Sequence, residues 1–241
     1  MVEIIDGGIT TPQGFKAAGV HSGVKYRSLD LGLLYSEVPA TAFKAFTSNK
    51  VKAAPVQMMI KDDSPKLSAI VVNSGNANAL TGRRGYEDAE TMQRAVAAEL
   101  NIDPKEVGVM STGLIGRFMD MHKIQYGISK AAKQLDVGRE ADGLLCEAIM
   151  TTDTVRKESA YELELSSGTI RIGAMAKGSG MIHPNMATTL AYVTTDAKCD
   201  SADLQKMLHN AIDKSFNMCT VDGDTSTNDT MILLANGASR V

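Results

Sequence analysis

Residues 176–196 read AKGSGMIHPNMATTLAYVTTD, and the rest of the chain is best understood outward from this stretch. Lys177 is followed by Gly178 and Gly180 on either side of Ser179. Glycine reaches positive φ without steric cost and lets backbone or ligand approach closely. Pro184 fixes its own φ and biases His183 toward an extended conformation. A pliable loop therefore leads through the small Ala187 into Thr188 and Thr189, and then into an apolar run. Two readings of Thr188 stand on these residues. It is an ordinary β-branched strand residue, or it is a nucleophile that the chain uncovers by cutting itself.

The second reading has a defined chemistry. A threonine hydroxyl is a weak nucleophile until a base sits beside it. Attack of the Thr188 hydroxyl on the Ala187 carbonyl would give an ester, and hydrolysis of that ester would release the Thr188 α-amine. An α-amine titrates at about 7.7–8.0, so it can take a proton near neutral pH and serve as the missing base.

The whole chain bounds what else is open. Its 241 residues suit one large domain or two small ones. With 44% hydrophobic and 22% charged residues and a net charge of −3, it has the composition of an ordinary soluble globular protein. It has no basic stripe, which argues against nucleic-acid binding. The N-terminus, MVEIIDGGITTPQG, lacks a secretory signal pattern. No run approaches the roughly 18 apolar residues of a spanning helix. Cys146, Cys199 and Cys219 are far apart and read as reduced core thiols, as expected of a cytoplasmic protein. With no Trp and 14 Met, the core is expected to be aliphatic and Met-filled.

Periodicity predicts mixed strands and helices. Residues 1–30 are glycine-rich and polar; 31–35 read as a first strand ended by Val38-Pro39, and 40–46 fit helix or strand. Residues 49–60 read as a strand with an edge or bulge at Pro55. Residues 67–72 form a buried strand opening into the loop NSGNANA (73–79), and 107–110 form another ending in Ser111-Thr112-Gly113. Helices are expected over 87–100, around 124–135 and over 139–150, with a short helical start at 103–106. Alternation on both sides of Ser167-Gly168 predicts a hairpin. Asp200 and Asp203 cap a further helix, and 231–234 follow a polar loop as a strand. Without clean βαβ periodicity, a layered α/β architecture is expected over a doubly wound sheet.

Each candidate has a plain alternative. Thr112 and Gly113 end a strand where a hydroxyl and successive N–H groups can face a developing oxyanion, or they form a simple turn. Lys177 can meet a substrate carboxylate, or it is solvated. Asp222, Asp224 and Asp229 do not satisfy an EF-hand, because Thr227 stands at its glycine position and Leu233 at its final glutamate. A local turn is the simpler reading. His21, His122, His183 and His209 lack metal-ligand spacing, and neither a phosphate loop nor a GxSxG elbow occurs. No metal is expected.

Seven segments in order carry a resemblance across nearly the whole chain. They are GFKAAGV (14–20), SNKVKAAPV (48–56), VVNSGNANALTG (71–82), STGLIG (111–116), IMTTDT (149–154), KGSGMIHPNMAT (177–188) and TVDGDTSTNDT (220–230). Together they resemble the ornithine acetyltransferases, also called bifunctional glutamate N-acetyltransferases. The resemblance implies a layered α/β/β/α sandwich with mixed sheets and self-cleavage between Ala187 and Thr188. Residues 1–187 would form an α-chain region, and 188–241 the start of a β-chain region. It implies Thr188 as nucleophile and substrate contact, and Thr112 with Gly113 as the oxyanion hole. Lys177 and either Thr151 or Thr152 would contact substrate.

The implied reaction is ping-pong transfer of acetyl from N-acetylornithine to glutamate through acetyl-Thr188, as a step of arginine biosynthesis. No cofactor is implied; in some members acetyl-CoA is a further acetyl donor that gives N-acetylglutamate. The two cleaved chains would associate in a larger oligomer, a heterotetramer. Thr189 departs from the bulkier residue the family carries there and stands as a second candidate nucleophile. Family members also continue beyond the LLANG strand, where further substrate-binding groups lie, so a C-terminally shortened member is expected. The alternatives are a related self-processing amidohydrolase or aminopeptidase, or a non-catalytic fragment.

Overall fold

The computed structural model describes residues 1–183 and 189–241, so the expected cleavage pair, Ala187 and Thr188, lies outside the described residues. The strands among them are β1 (Val2–Ile5), β2 (Phe15–Val20), β3 (Leu31–Phe46), β4 (Lys66–Asn76), β5 (Val107–Leu114), β6 (Lys157–Leu165), β7 (Gly168–Lys177), β8 (Leu190–Thr195) and β9 (Thr230–Ala235). The helices are α1 (Ala54–Asp62), α2 (Gly82–Leu100), α3 (Met121–Ala132), α4 (Arg139–Ile149) and α5 (Ser201–Asp213).

β3 joins two halves of one hydrogen-bonded network. Its first part pairs with β2 on one side and β4 on the other; after a register shift between Tyr35 and Ala40, residues 41–46 pair with β9. The strand order is β1-β6-β7-β8-β9-β3-β4-β5, with β2 on β3. The β4–β5 and β8–β9 pairs are parallel and the others antiparallel, so the sheet is mixed, as expected. Val38-Pro39 does not end the strand. Pro39 falls inside the irregularity, where its missing N–H removes no ladder bond.

The layers follow from which residues alternate. On β9, Met231, Leu233 and Ala235 pack with Leu204, Leu208 and Ile212 of α5, while Ile232 and Leu234 belong to the main core. From the other half, Ile70 of β4 and Ile232 of β9 both lie within 3.6 Å of where a Gly108 Cβ would sit, so the two strand layers meet there. On the far face of β3, Leu31 packs against Gly127 of α3. The order is helix, strand, strand, helix: the layered α/β/β/α arrangement.

Several local expectations need correction. Residues 54–62 are helix α1, not strand; Pro55 occupies the first turn, where an N–H has no intrahelical partner to lose. β1 and β2 lie in the stretch read as polar, and β2 escaped notice because Phe15, Ala17, Ala18 and Val20 are all buried and show no alternation. Helix α2 begins at Gly82, earlier than periodicity suggested. The hairpin β6–β7, with Leu165 opposite Gly168, and α5, with Asp200 accepting from the Asp203 N–H, are as expected. Of the cysteines only Cys146 is a core thiol; Cys199 is half-buried and Cys219 exposed.

Candidate active site

The site begins where β4 and β5 lose regularity at the same level. Gly75 has φ +97° and Gly113 φ +131°, and the register shifts at Asn76. A Cβ on Gly113 would lie 2.4 Å from the Gly75 carbonyl carbon. Only glycine permits that approach. Asn73 to Asn76, read from sequence as loop, still pair with β5; their amides then hold the turn that follows. Asn76 Nδ2 donates to the carbonyls of Arg117 and Phe118, and its Oδ1 accepts from Asn78 N at 2.8 Å.

Thr112 and Gly113 at this strand end line a cleft of about 600 Å³, and Thr151, Thr152 and Lys177 line the same cleft. Lys177, at the end of β7, is only 4% exposed, which rules out the solvated reading. Its Nζ donates to Thr112 Oγ1 at 2.9 Å. Burial pulls the Lys177 pKa below the usual lysine value; Asp153 and Asp229 oppose this, and the like charge of Lys157 adds to it. Because the ammonium fills a lone pair on Oγ1, the Thr112 hydroxyl hydrogen is left to donate to another acceptor.

Asp153 ties the opposite wall together. Its Oδ1 accepts from Gly178 N at 2.8 Å and from Lys157 Nζ at 2.6 Å, and its Oδ2 from Thr151 N at 3.4 Å. Burial would raise its pKa, but the Lys157 bond and the Gly178 and Thr151 N–H groups hold it below the ordinary carboxylate range. Thr152 Oγ1 and Ser179 Oγ are hydrogen-bonded at 2.6 Å. Both threonines of the MTTDT segment therefore reach the cleft, Thr152 through its own hydroxyl contact.

Residues 226–228 close the cleft from the side of β9. Asn228 Nδ2 donates to Ala77 O at 2.6 Å and to Ser111 O at 2.9 Å, and Thr227 donates to Asn228 Oδ1 at 2.6 Å. Asp222 accepts from the N–H groups of Met181, Ile182 and Asp224, and these bonds, Met181 first, hold its pKa low. Its oxygens thus serve the local backbone. Among the described residues, no cluster of three or more His, Cys, Asp or Glu could hold a metal.

Thr189 is buried, and its carbonyl accepts from Thr230 N at 3.2 Å. Leu190 then pairs with Lys177. Sequence reasoning did not single out Lys25, Gly75 or Asn228, all of which line the cleft. Gly75 and Asn228 sit inside the segments NSGNANA and TSTNDT, where a dense run of Asn, Gly and Thr was the available signal. Lys25 carried none.

Comparison with known proteins bears on this arrangement. The sequence pattern of the ArgJ family matches residues 16–241. The chain belongs to the ArgJ family. It is 51% identical over 240 residues to the arginine biosynthesis bifunctional protein ArgJ of Symbiobacterium thermophilum, covering 98% of this chain and 59% of that protein. The corresponding ArgJ protein of Bacillus subtilis is 47% identical over 239 residues, with 98% and 57% covered. The chain thus spans 57–59% of the length of these ArgJ relatives.

Among solved structures, an ArgJ protein from Bacillus halodurans superposes with a TM-score of 0.71 at 43% identity, covering 78% of this chain and 98% of that one. The ornithine acetyltransferase from Mycobacterium tuberculosis, solved with ornithine, gives 0.68 at 38% identity, covering 76% and 98%. An aminopeptidase/amidase from Ochrobactrum anthropi with a variant of the Ntn hydrolase fold gives 0.61 at 12% identity over 95% of this chain and 74% of that one, a likeness of fold. No helix among the described residues is long and apolar enough to cross a membrane.

Proposed function

We propose that this chain supplies the nucleophile, oxyanion hole and acyl-donor cleft of an acetyltransferase of arginine biosynthesis. In this reading the chain cuts itself between Ala187 and Thr188, giving an α-chain of residues 1–187 and a β-chain that starts at Thr188. The Thr188 hydroxyl attacks the acetyl carbonyl of N-acetylornithine while its own α-amine takes the proton. The oxyanion that develops receives the Thr112 hydroxyl and the backbone around Gly113. Ornithine leaves with the proton, and glutamate then takes the acetyl group from Thr188. Acetyl-CoA is a further donor to the same hydroxyl, and the cleaved chains assemble as a cytoplasmic heterotetramer.

The observation that carries the reading is convergence. Thr112, Gly113, Thr151, Thr152 and Lys177 line one cleft, and Lys177 bonds Thr112 across 65 positions of sequence. The cut is supported by a second point. The two solved ArgJ-type chains are each 98% covered by 78% and 76% of this chain, and residues 1–187 are about 78% of its 241.

Intact-mass measurement on the wild type beside Thr188→Ala tests the cut. Fragments 1–187 and 188–241 are expected for the wild type only. A cut before Thr189 moves the nucleophile, and an uncut wild type overturns self-processing. Incubation with N-acetylornithine, with and without glutamate, tests the transfer. Glutamate-dependent release of ornithine is expected; release indifferent to glutamate assigns an amidohydrolase, and no release from a cut chain assigns a non-catalytic part.

A further inference from the structure

Lys25 lines the same cleft and has no part in the chemistry above. Its position is strongly determined. Asp30, fully buried, accepts from Ser22 N at 2.6 Å, Gly23 N at 3.1 Å and Lys25 N at 2.9 Å, which fixes the loop that carries it. The lysine stem crosses Gly75, where an added Cβ would lie 3.1 Å from Lys25 Cγ. Nζ donates to Leu29 O at 2.9 Å and to Met150 O at 2.6 Å. An ammonium has three N–H donors, so one remains for an acceptor in the cleft.

Charge shows which acceptor fits. Among the described residues, Lys25 and Lys177 are the only charged side chains lining the cleft, and both are cationic. Burial pulls the pKa of Lys25 down; Asp30 opposes this, Lys177 lowers it further, and Asp153 acts in the same sense as Asp30. Two like charges lining one cleft, with no acid among the described residues lining it beside them, favour an anionic group on the ligand. The substrates of the reaction proposed above are amino acids, each with an α-carboxylate.

We infer that Lys25 is a carboxylate-binding residue, which with Lys177 receives the α-carboxylate of the amino-acid substrate. Through its bond to the Met150 carbonyl it also sets Thr151 and Thr152 at the opposite wall. This inference rests on the function proposed above. The competing view makes Lys25 a tether between loops and nothing more.

The two views separate by titration calorimetry with ornithine and with ornithinamide, whose carboxylate is replaced by a neutral amide. Wild type should prefer ornithine by roughly ten- to hundredfold, the span of a charged hydrogen bond. Lys25→Gln keeps a donor for the two carbonyls but no charge; it should lose most of that preference while binding ornithinamide as wild type does. Lys25→Arg should keep the preference. A Lys25→Gln protein with the wild-type preference overturns the inference and leaves a tether. A wild type that binds neither probe overturns the function proposed for the cleft as well. If Lys25→Gln does not fold, acetylation footprinting of the wild type decides: ornithine should shield Lys25 and ornithinamide should not. Equal labelling in both overturns the inference.

Discussion

Replacing Thr112 by valine removes one hydroxyl and keeps the shape of the side chain. Thr112 is 8% exposed, and its Oγ1 is the acceptor for a lysine that is itself 4% exposed. A hydrogen bond to a charged group contributes about 1.5–3 kcal/mol. The new methyl returns about 0.8 kcal/mol of apolar burial, so a net destabilisation of about 1–2 kcal/mol is expected. At roughly 2–4 °C per kcal/mol for a chain of this size, the melting temperature should fall by roughly 2–8 °C. The same hydroxyl is the proposed oxyanion donor, and loss of one such donor costs about 10²–10³ in rate. Single-turnover acetylation of fragment 188–241, followed by mass, measures that rate, while Thr112→Ser restores the hydroxyl and should restore most of it. Acetylation by Thr112→Val within threefold of wild type would refute the oxyanion role. An unchanged melting temperature would refute the weight given to the Lys177 bond.

Four other outcomes follow from the same geometry. Gly113→Ala should cost more than about 3 kcal/mol, because φ +131° and a 2.4 Å approach to Gly75 both exclude a Cβ; a urea midpoint close to wild type would contradict this. Leu204→Ala should cost about 2–5 kcal/mol, since a fully buried α5 side chain leaves a cavity against β8 and β9, and a loss under about 1 kcal/mol would mean α5 is not docked as described. Lys177 binds its proton less readily folded than unfolded, so stability should rise with pH through the window between its depressed value and 10.5. Lys177→Met should flatten that rise in urea titrations on the alkaline side, up to pH 10.5, and an unchanged slope would count against it. Burial pushes the Cys146 thiol up to about 11 while Cys219 is exposed, so iodoacetamide at pH 8 should label Cys219 well before Cys146, as read by peptide mass.

Much of the fold was legible where local chemistry and tertiary role agree. The β6–β7 hairpin announced itself because apolar residues alternate with polar and charged ones on both sides of a glycine turn. Helix α5 did so through its Asp200 cap and the spacing of Leu204, Leu208 and Ile212. Strand β2 and helix α1 did not. β2 is buried on both sides, so its sequence alternates with nothing, and the apolar run before α1 fits strand or helix until a neighbour settles it. The candidate site divides the same way. Thr112, Gly113, Thr151, Thr152 and Lys177 were named from their motifs, whereas Lys25 was not, since its place depends on Asp30, Gly75 and Met150, which are scattered along the chain.

The sequence by itself determined the family, through segments in a fixed order, and the mixed α/β character, through periods of two and 3.6 residues. It also named Ala187-Thr188 as the bond to test. Only the tertiary structure decided that Lys177 is a buried partner of Thr112 rather than a solvated lysine, and that β3 carries both halves of the sheet across its bulge. The reason is physical: motifs are written in neighbouring residues, but burial and charge environment depend on groups that only long-range packing brings together.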